Sequence, residues 1–204
     1  MRGVGAAAAL VFGAAAAFGA KYKDSAGAFT IAYDDTIWTA KPGDDGEFAV
    51  ACARGACDGA VVGCSGSRLW VPLASAGRLT REFDASATER TVLDGLARER
   101  AANARATAES GAVDVAPEVV KPYTLAYSRD GHPIYESDFR ASVGQGVTRF
   151  LSFSMAARSH SIALVCHVPE SRLPVWRPRI DALIEGFKPV RDPFWLRWLA
   201  YIGL

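Results

Sequence analysis

Apolar and polar residues alternate soon after the N-terminal leader. Phe29, Ile31 and Tyr33 are separated by single residues. A repeat of two places all three on one face of a half-buried strand, and Trp38 is predicted to return the chain to the core. Three further apolar runs predict short strands, at residues 48–52, 60–64 and 69–73.

The clearest helical pattern begins at Ser86. Ser86 and Glu89 have the spacing of a capping box, in which each side chain accepts a hydrogen bond from the other residue's backbone amide. Apolar residues then recur at intervals of three and four, and Gly111 is predicted to end the helix. The predicted apolar face consists of Val92, Leu93, Leu96, Ala97, Ala101, Ala104 and Ala108.

A meander of four strands is predicted at residues 123–127, 133–143, 147–157 and 161–168. Asp130-Gly131 is a hairpin signal between the first two. In the second strand Tyr135, Phe139, Ala141 and Val143 face one way, and Glu136, Asp138 and Arg140 face the other. We therefore expect solvent on that second side. The last two strands are apolar on both faces and should be central.

A second helix is predicted from the apolar series Trp176, Ile180, Leu183, Ile184 and Phe187, with Pro178 in its first turn. Strands, a helix, a meander and a closing helix together predict an α+β domain. Its antiparallel β-sheet would be packed with helices.

These core positions resemble those of the PsbP-like superfamily, which includes extrinsic photosystem subunits and many exported bacterial proteins. The match rests on Phe29, Ile31, Tyr33 and Trp38 at the front and on the series from Ile180 to Phe187 at the back. It covers roughly residues 27–188, and Asp34 replaces a proline usual in the family. The resemblance implies an α/β/α sandwich and a non-enzymatic binding or assembly module with no shared catalytic residues. It does not imply a photosynthetic role.

The first 19 residues have the pattern of a signal peptide. Arg2 precedes an apolar run at residues 4–18, and Ala17-Phe18-Gly19 fits cleavage after Gly19. An uncleaved anchor is the alternative, because Lys21 and Lys23 follow the run closely. The main interpretation is a periplasmic or secreted protein whose single domain spans residues 20–190.

Four cysteines fit an oxidising compartment: Cys52, Cys57, Cys64 and Cys166. If Arg54-Gly55 forms a two-residue hairpin, Cys52 and Cys57 lie opposite each other on the next rung, and Cys64 is left to pair with Cys166. A zinc site and a redox pair remain the alternatives to these structural disulfides.

The C-terminal tail, residues 191–204, is the most apolar segment after the leader. Asp192-Pro193 suits a helix start, and a helix of the remaining residues would be about 15 Å long, too short to cross a bilayer. Basic residues outnumber acidic ones from residue 172 to residue 197. The tail could pack on the domain, lie on a membrane surface or bind a protein partner. The predicted contact residues are Phe194, Trp195, Arg197, Trp198, Tyr201 and Ile202.

Composition narrows the function classes. Half of the residues are apolar and 22% are charged, which excludes a disordered chain. The balance of 23 basic and 22 acidic residues gives no electrostatic support for nucleic-acid binding.

Candidate chemistry is sparse. No phosphate-binding glycine loop and no metal-ligand spacing occurs in the sequence, so no cofactor or metal is predicted. We expect an exported non-catalytic binding or assembly module in the periplasm, associated through its tail with the inner membrane or a partner. The alternative is a periplasmic enzyme. It would be a hydrolase that uses Ser65 with His132, His160 or His167, or a thiol redox protein that uses Cys52 and Cys57.

Overall fold

The computed structural model describes residues 19–53, 55–57, 61–70, 83–111, 114–143, 146–157 and 160–190. The predicted leader, apart from Gly19, and the predicted C-terminal helix at 191–204 lie outside these residues. So do residues 71–73 of one predicted strand.

Ten strands and two α-helices make up the described domain. The strands are β1 (Ala20–Lys23), β2 (Phe29–Tyr33), β3 (Trp38–Pro42), β4 (Glu47–Cys52), β5 (Gly63–Trp70), β6 (Glu118–Tyr127), β7 (Pro133–Val143), β8 (Gly146–Ala157), β9 (His160–Pro169) and β10 (Phe187–Pro189). The helices are α1 (Ala85–Ser110) and α2 (Leu173–Glu185), and a 3₁₀ helix (Glu170–Arg172) precedes α2.

The strands form two antiparallel sheets. The large sheet has seven strands in the order β3-β4-β5-β9-β8-β7-β6, and the small one has the order β1-β2-β10. The predicted central position of the last two meander strands is confirmed, because β9 is the middle strand and β8 is its neighbour. The two strands predicted at 60–64 and 69–73 are instead the single strand β5, which pairs along its length with β9.

The main core lies between the large sheet and a layer made of α2 and the small sheet. Trp38 packs edge-on against Trp176 at 5.5 Å between ring centroids, and Phe29 stacks on Phe187 at 4.7 Å. Pro178 lies in the second turn of α2, later than predicted, because the helix already begins at Leu173.

Helix α1 covers part of the opposite face. Its Leu96 forms a second buried cluster with Phe139 and Phe150 of the sheet. The arrangement is an α+β sandwich with helices on both faces of the large sheet, as predicted for the described part of the chain.

The predicted capping box is wrong. The helix begins two residues earlier than that motif requires, and the Asp84 side chain accepts a hydrogen bond from the Ala87 amide at 2.9 Å. Glu89 is used differently, since its Oε1 accepts a hydrogen bond from the backbone amide of Tyr123 at 2.7 Å. The N-cap is therefore Asp84 and not Ser86, and a different backbone amide of the first turn is satisfied.

The C-terminal half of α1 also departs from the prediction. Gly111 ends the helix in the left-handed conformation at φ 65°, as expected. Ala97, Ala101, Ala104 and Ala108, however, are exposed rather than packed on the sheet. An alanine side chain buries little apolar area, so a row of alanines at helical spacing provides little free energy for packing this half of α1 on the sheet.

The polar side of β7 does not face solvent as predicted. Asp138 is only 6% exposed and accepts a hydrogen bond from Arg149 Nε at 2.9 Å, and Arg149 also reaches Glu170 at 3.4 Å. Glu136 pairs with Lys121 and, at 3.5 Å, with Arg177 of α2. These charged side chains lie on the side of the sheet that α2 and the small sheet cover. They pair with one another there, whereas the alternating pattern predicted that they would face solvent.

Candidate binding cleft beside helix α1

Part of the large sheet carries no described cover on the side of α1. We call this surface the open face and define it by the outward side chains of β4, β5 and β9. Register places them in rows, for example Ala49 beside Ser65 and Ser65 beside Val165. All are exposed or half-buried, and most are small. The set consists of Ala49, Ala51, Ser65, Ser67, Leu69, Ala163 and Val165.

A cleft of about 830 Å³ lies between α1 and the open face. Its size is within the range of small-molecule and peptide-segment sites. The apolar part of its lining consists of Val61, Leu96, Val147, Phe150, Val165 and Pro169, and the polar part includes Ser65, Glu99, Thr148 and His167. Val61 at the mouth is 77% exposed, which is unusual for a large apolar side chain beside a cavity.

His167 is a half-buried titratable group on the lining of the cleft. It lies opposite Gly63 in the β5–β9 ladder, where a Cβ on Gly63 would approach the ring at 3.3 Å. Burial lowers the pKa of His167, and the nearby Glu99 carboxylate opposes that shift only in part. The ring is therefore neutral at pH 7 and behaves as a polar wall of an otherwise apolar cleft.

The structure brings Ser65 and His167 to the same cleft but does not assemble a nucleophilic site. Ser65 lies within β5, with Ala49 of β4 on one side and Val165 of β9 on the other. A hydrolase serine normally sits on a strained turn, with free amides beside it for an oxyanion. In β5 the amides belong to the sheet ladder. His160 lies at the other end of β9, and His132 follows the turn after β6.

Both predicted cysteine pairs lie at disulfide distance. Sulfur–sulfur separations are 2.06 Å for Cys52–Cys57 and 2.10 Å for Cys64–Cys166. Cys64 and Cys166 are direct cross-strand neighbours on β5 and β9, and both are buried. The closing hydrogen bond of the predicted turn is present, from the Ala56 amide to the Ala53 carbonyl at 3.0 Å. The strand pairing does not continue to the cysteines, however, because the Cys52 amide donates to the Val62 carbonyl at 3.2 Å and Cys57 lies in a bend.

Within the described residues no group of three or more histidine, cysteine, aspartate or glutamate side chains is arranged to hold a metal ion. The same part of the chain contains no helix that is both long enough and apolar enough to span a bilayer.

Sequence reasoning missed the cleft because its members are distant in the chain. One signal could have found it. Pairing Cys64 with Cys166 in adjacent antiparallel strands fixes the register, and that register makes Gly63 the neighbour of His167 and Ser65 the neighbour of Val165. The contribution of Leu96 and Glu99 depends on how α1 crosses the sheet, which no local pattern specifies.

A seven-stranded antiparallel sheet between α1 on one side and α2 with a small sheet on the other defines the PsbP-like fold class. Cyanobacterial PsbP from Synechocystis has this fold. The two structures align with a TM-score of 0.56 and 16% sequence identity over 83% of this chain and 91% of that one. The predicted resemblance is confirmed at the level of the fold.

Two other solved structures overlap less closely. LpqN of Mycobacterium tuberculosis, described as involved in cell envelope biogenesis, aligns over 81% of this chain and 83% of its own with 8% identity and a TM-score of 0.45. The Saccharomyces cerevisiae Ran-binding protein Mog1p aligns over 84% of this chain and 95% of its own, with 8% identity and a TM-score of 0.46. No family model and no curated protein matches the sequence.

Proposed function

We propose that the protein is an exported, non-catalytic binding or assembly module that works in the periplasm and binds its partner through the cleft beside α1. The observation that carries the proposal is the cleft itself, about 830 Å³ with six apolar lining residues. An apolar segment that enters a cleft of this kind removes apolar surface from water and gains the free energy of burial.

The partner that suits the cleft is an apolar segment with one cationic group. Glu99 is the only carboxylate among the described lining residues, and the half-buried, neutral His167 adds no positive charge near it at pH 7. A cation beside Glu99 would therefore meet little repulsion from the cleft itself, whereas an anion would be disfavoured.

Export is supported by the cysteines and the leader. Two pairs at disulfide distance are typical of oxidising compartments. We propose that residues 1–19 direct export and are removed after Gly19. Periplasmic fractionation with N-terminal sequencing of the purified protein tests this directly. A mature chain that begins at Ala20 is expected, and a chain that retains Arg2 would contradict it.

We further propose that the tail, residues 191–204, contacts the inner membrane. Two of the basic residues that precede the tail in sequence are in ion pairs within the domain. Arg177 pairs with Asp181 at 2.8 Å, and Lys188 pairs with Asp130 at 3.0 Å. Membrane contact would then depend on the aromatic residues rather than on anionic lipid. Flotation with neutral vesicles should recover the full chain but not a chain lacking residues 192–204. Equal recovery of the two chains would argue against membrane contact by the tail. A protein partner or the domain itself would then be the surface that the tail contacts.

The cleft is tested by a charge placed at its mouth. Val61→Asp introduces a carboxylate at a side chain that is 77% exposed, and Val120→Asp makes the same change on β6, where the side chain is 44% exposed. Neither site is buried, so both variants should fold. In a pull-down from native membranes, Val61→Asp should lose the captured partner and Val120→Asp should retain it. If both variants captured the partner equally, the cleft would not be the surface that binds it.

A hydrolase is the second candidate, because Ser65, Glu99 and His167 line one cleft. It predicts ester hydrolysis that disappears in Ser65→Ala. Because Ser65 lies within a hydrogen-bonded strand, we expect the unmodified protein to hydrolyse esters no faster than Ser65→Ala does. A difference of about 100-fold or more between the two proteins would favour the enzyme, since removing a catalytic nucleophile costs at least that much.

A further inference from the structure

A second cavity lies on the same side of the large sheet as the cleft, beside the beginning of α1. Its volume is about 380 Å³, and none of its described lining residues is shared with the cleft. Phe83, which precedes α1, and Thr88 of the first turn border it, together with the start of β7, the end of β8 and the start of β9. We call this cavity the hydroxyl pocket, after the serine and threonine side chains that line it.

Small and hydroxyl-bearing side chains form the floor of the hydroxyl pocket. In one row of the sheet Tyr135 lies beside Ser154, and Ser154 lies beside Ala163. In the next row Ala156 lies beside Ser161. Alternation along each strand keeps the side chains of both rows on the α1 side of the sheet. Because the alanine and serine side chains extend only a short way from the sheet, they leave a depression next to the ring of Tyr135.

Oxygen atoms that accept hydrogen bonds predominate among the polar groups of the described lining. The Thr88 hydroxyl donates to the Asp84 carbonyl at 2.8 Å, which leaves the Thr88 oxygen as an acceptor. Asp84 Oδ1 accepts from the Ala87 amide at 2.9 Å, and the second carboxylate oxygen is a further acceptor. Ser154 and Ser161 contribute hydroxyls, a group that both donates and accepts. A ligand that fits these groups carries several hydrogen-bond donors of its own.

One wall of the hydroxyl pocket is aromatic. Phe83 stacks on Tyr135 with 4.1 Å between ring centroids and meets Tyr123 edge-on at 5.2 Å. Two ring contacts of this kind favour one position of the Phe83 side chain. The wall therefore offers a fixed apolar surface directly beside the hydroxyl floor.

The charge of the lining disfavours ionic ligands. Asp84 is the one charged side chain among the described lining residues, and it repels an anion. Its carboxylate caps the N-terminus of α1, where the helix dipole compensates it, so a cation gains less there than beside an isolated carboxylate. A wholly apolar ligand would leave hydroxyl groups of the floor without water or a partner, which costs free energy for each group. The lining thus suits a neutral molecule with one apolar face and several hydroxyl groups.

We propose that the hydroxyl pocket binds one or two pyranose rings of a neutral sugar. A pyranose presents a C–H face that packs on an aromatic wall, and the hydroxyls around its edge bond to serine, threonine and carboxylate oxygens. At about 380 Å³ the pocket lies near the lower end of the range for small-molecule sites, roughly 300–1,000 Å³, as a ligand of this size requires. The site is separate from the cleft, so the inference goes beyond the proposed function and does not depend on it.

Protein-detected NMR titration of the full chain tests the site. Methyl glucoside is the probe for a free sugar, and chitotetraose is the probe for a glycan chain. With at least one of them, the backbone amides of residues 84–88, 154–156 and 161–163 should shift saturably. Tighter binding of chitotetraose would identify a glycan chain as the source of the rings, and equal or weaker binding would identify a free sugar.

Three control ligands of similar size separate a sugar site from other sites. Cyclohexanol has the ring without most of the hydroxyls, glucuronate carries a negative charge, and glucosamine carries a positive charge. Each should bind more weakly than methyl glucoside. Tighter binding of any control, no saturable shift with either probe, or shifts confined to residues 146–150 and 165–169 of the cleft would each overturn the proposal.

Substitutions on the floor provide a second readout. Ser154→Ala and Ser161→Ala each remove one hydroxyl and should raise the Kd of the sugar about three- to tenfold, as expected for one lost hydrogen bond between neutral groups. Ser65→Ala is the matched control, because Ser65 lies on the same side of the sheet but lines the cleft. It should leave the Kd unchanged. Urea unfolding verifies that the three variants are folded, and equal Kd values in all of them and in the unmodified protein would refute the site.

Discussion

Removing the two disulfides separately should destabilise the protein to different extents, and the difference can be calculated. Cys64–Cys166 joins residues 102 apart in sequence, whereas Cys52–Cys57 joins residues only five apart. The chain-entropy model assigns about 4.7 kcal/mol to a closed loop of ~100 residues and about 2.2 kcal/mol to one of about six. The Cys64→Ala/Cys166→Ala variant should therefore lose about 2.5 kcal/mol more than Cys52→Ala/Cys57→Ala.

Packing acts in the same direction. Cys64 and Cys166 are 3% and 0% exposed, so their truncation also leaves a cavity, whereas Cys52 and Cys57 are half-buried. Equilibrium unfolding in urea gives the free energy of unfolding of each variant, provided that its remaining disulfide is verified as intact. Equal losses, or a larger loss for the short loop, would show that the long disulfide does not restrict the unfolded chain more than the short one does.

Three further predictions, with five substitutions between them, test individual contacts. Gly66→Ala should destabilise by about 2 kcal/mol because the new Cβ would lie 2.2 Å from a buried ring, whereas Gly95→Ala, with open space around its Cβ, should stabilise by up to about 1 kcal/mol in thermal melts. Asp84→Ala should lower the free energy of unfolding by about 1 kcal/mol, and Ser86→Ala should lower it by less than about 0.5 kcal/mol. The reverse order would show that Ser86, and not Asp84, caps the helix. Burial lowers the pKa of His167 below its unfolded value, so its contribution is complete above the unfolded pKa of about 6.5 and is lost as pH falls through the folded pKa. His167→Gln should flatten the decline of Tm below about pH 6.5, and an unchanged decline would assign it to other groups.

The sequence predicts those parts of the fold in which local chemistry and tertiary contacts agree. Strand β7 has the predicted bounds, Pro133–Val143, because a turn sequence precedes it and alternation continues through it. Strand β5 was split in two because its glycine and serine residues resemble a loop. Their extended conformation is imposed by β4 and β9, which no local pattern reports.

Asp34 illustrates how a departure from a family pattern can be accommodated. Its Oδ1 accepts hydrogen bonds from the Thr36 amide at 2.9 Å and the Thr36 hydroxyl at 2.6 Å, and the hydroxyl bond is the main reason the pKa of Asp34 is lowered. The side chain thereby fixes the turn between β2 and β3 that a proline would otherwise restrict.

The cleft could not be derived from the sequence in the same way. Glu99 lies outside the apolar face predicted for α1, and His167 is one of three histidines with no distinguishing neighbour in the chain. Their proximity depends on the direction in which α1 crosses the sheet. The physical signal was the disulfide register, which brings β5 and β9 together but does not place the helix.

The central claim, that the cleft is the binding surface, is tested most directly by crosslinking in living cells. Benzoylphenylalanine at position 61, at the mouth of the cleft, is compared with the same group at position 120, on an exposed part of β6. We expect a discrete adduct with another molecule from position 61 and none from position 120. Adducts from position 120 alone, or the same adduct from both positions, would contradict it.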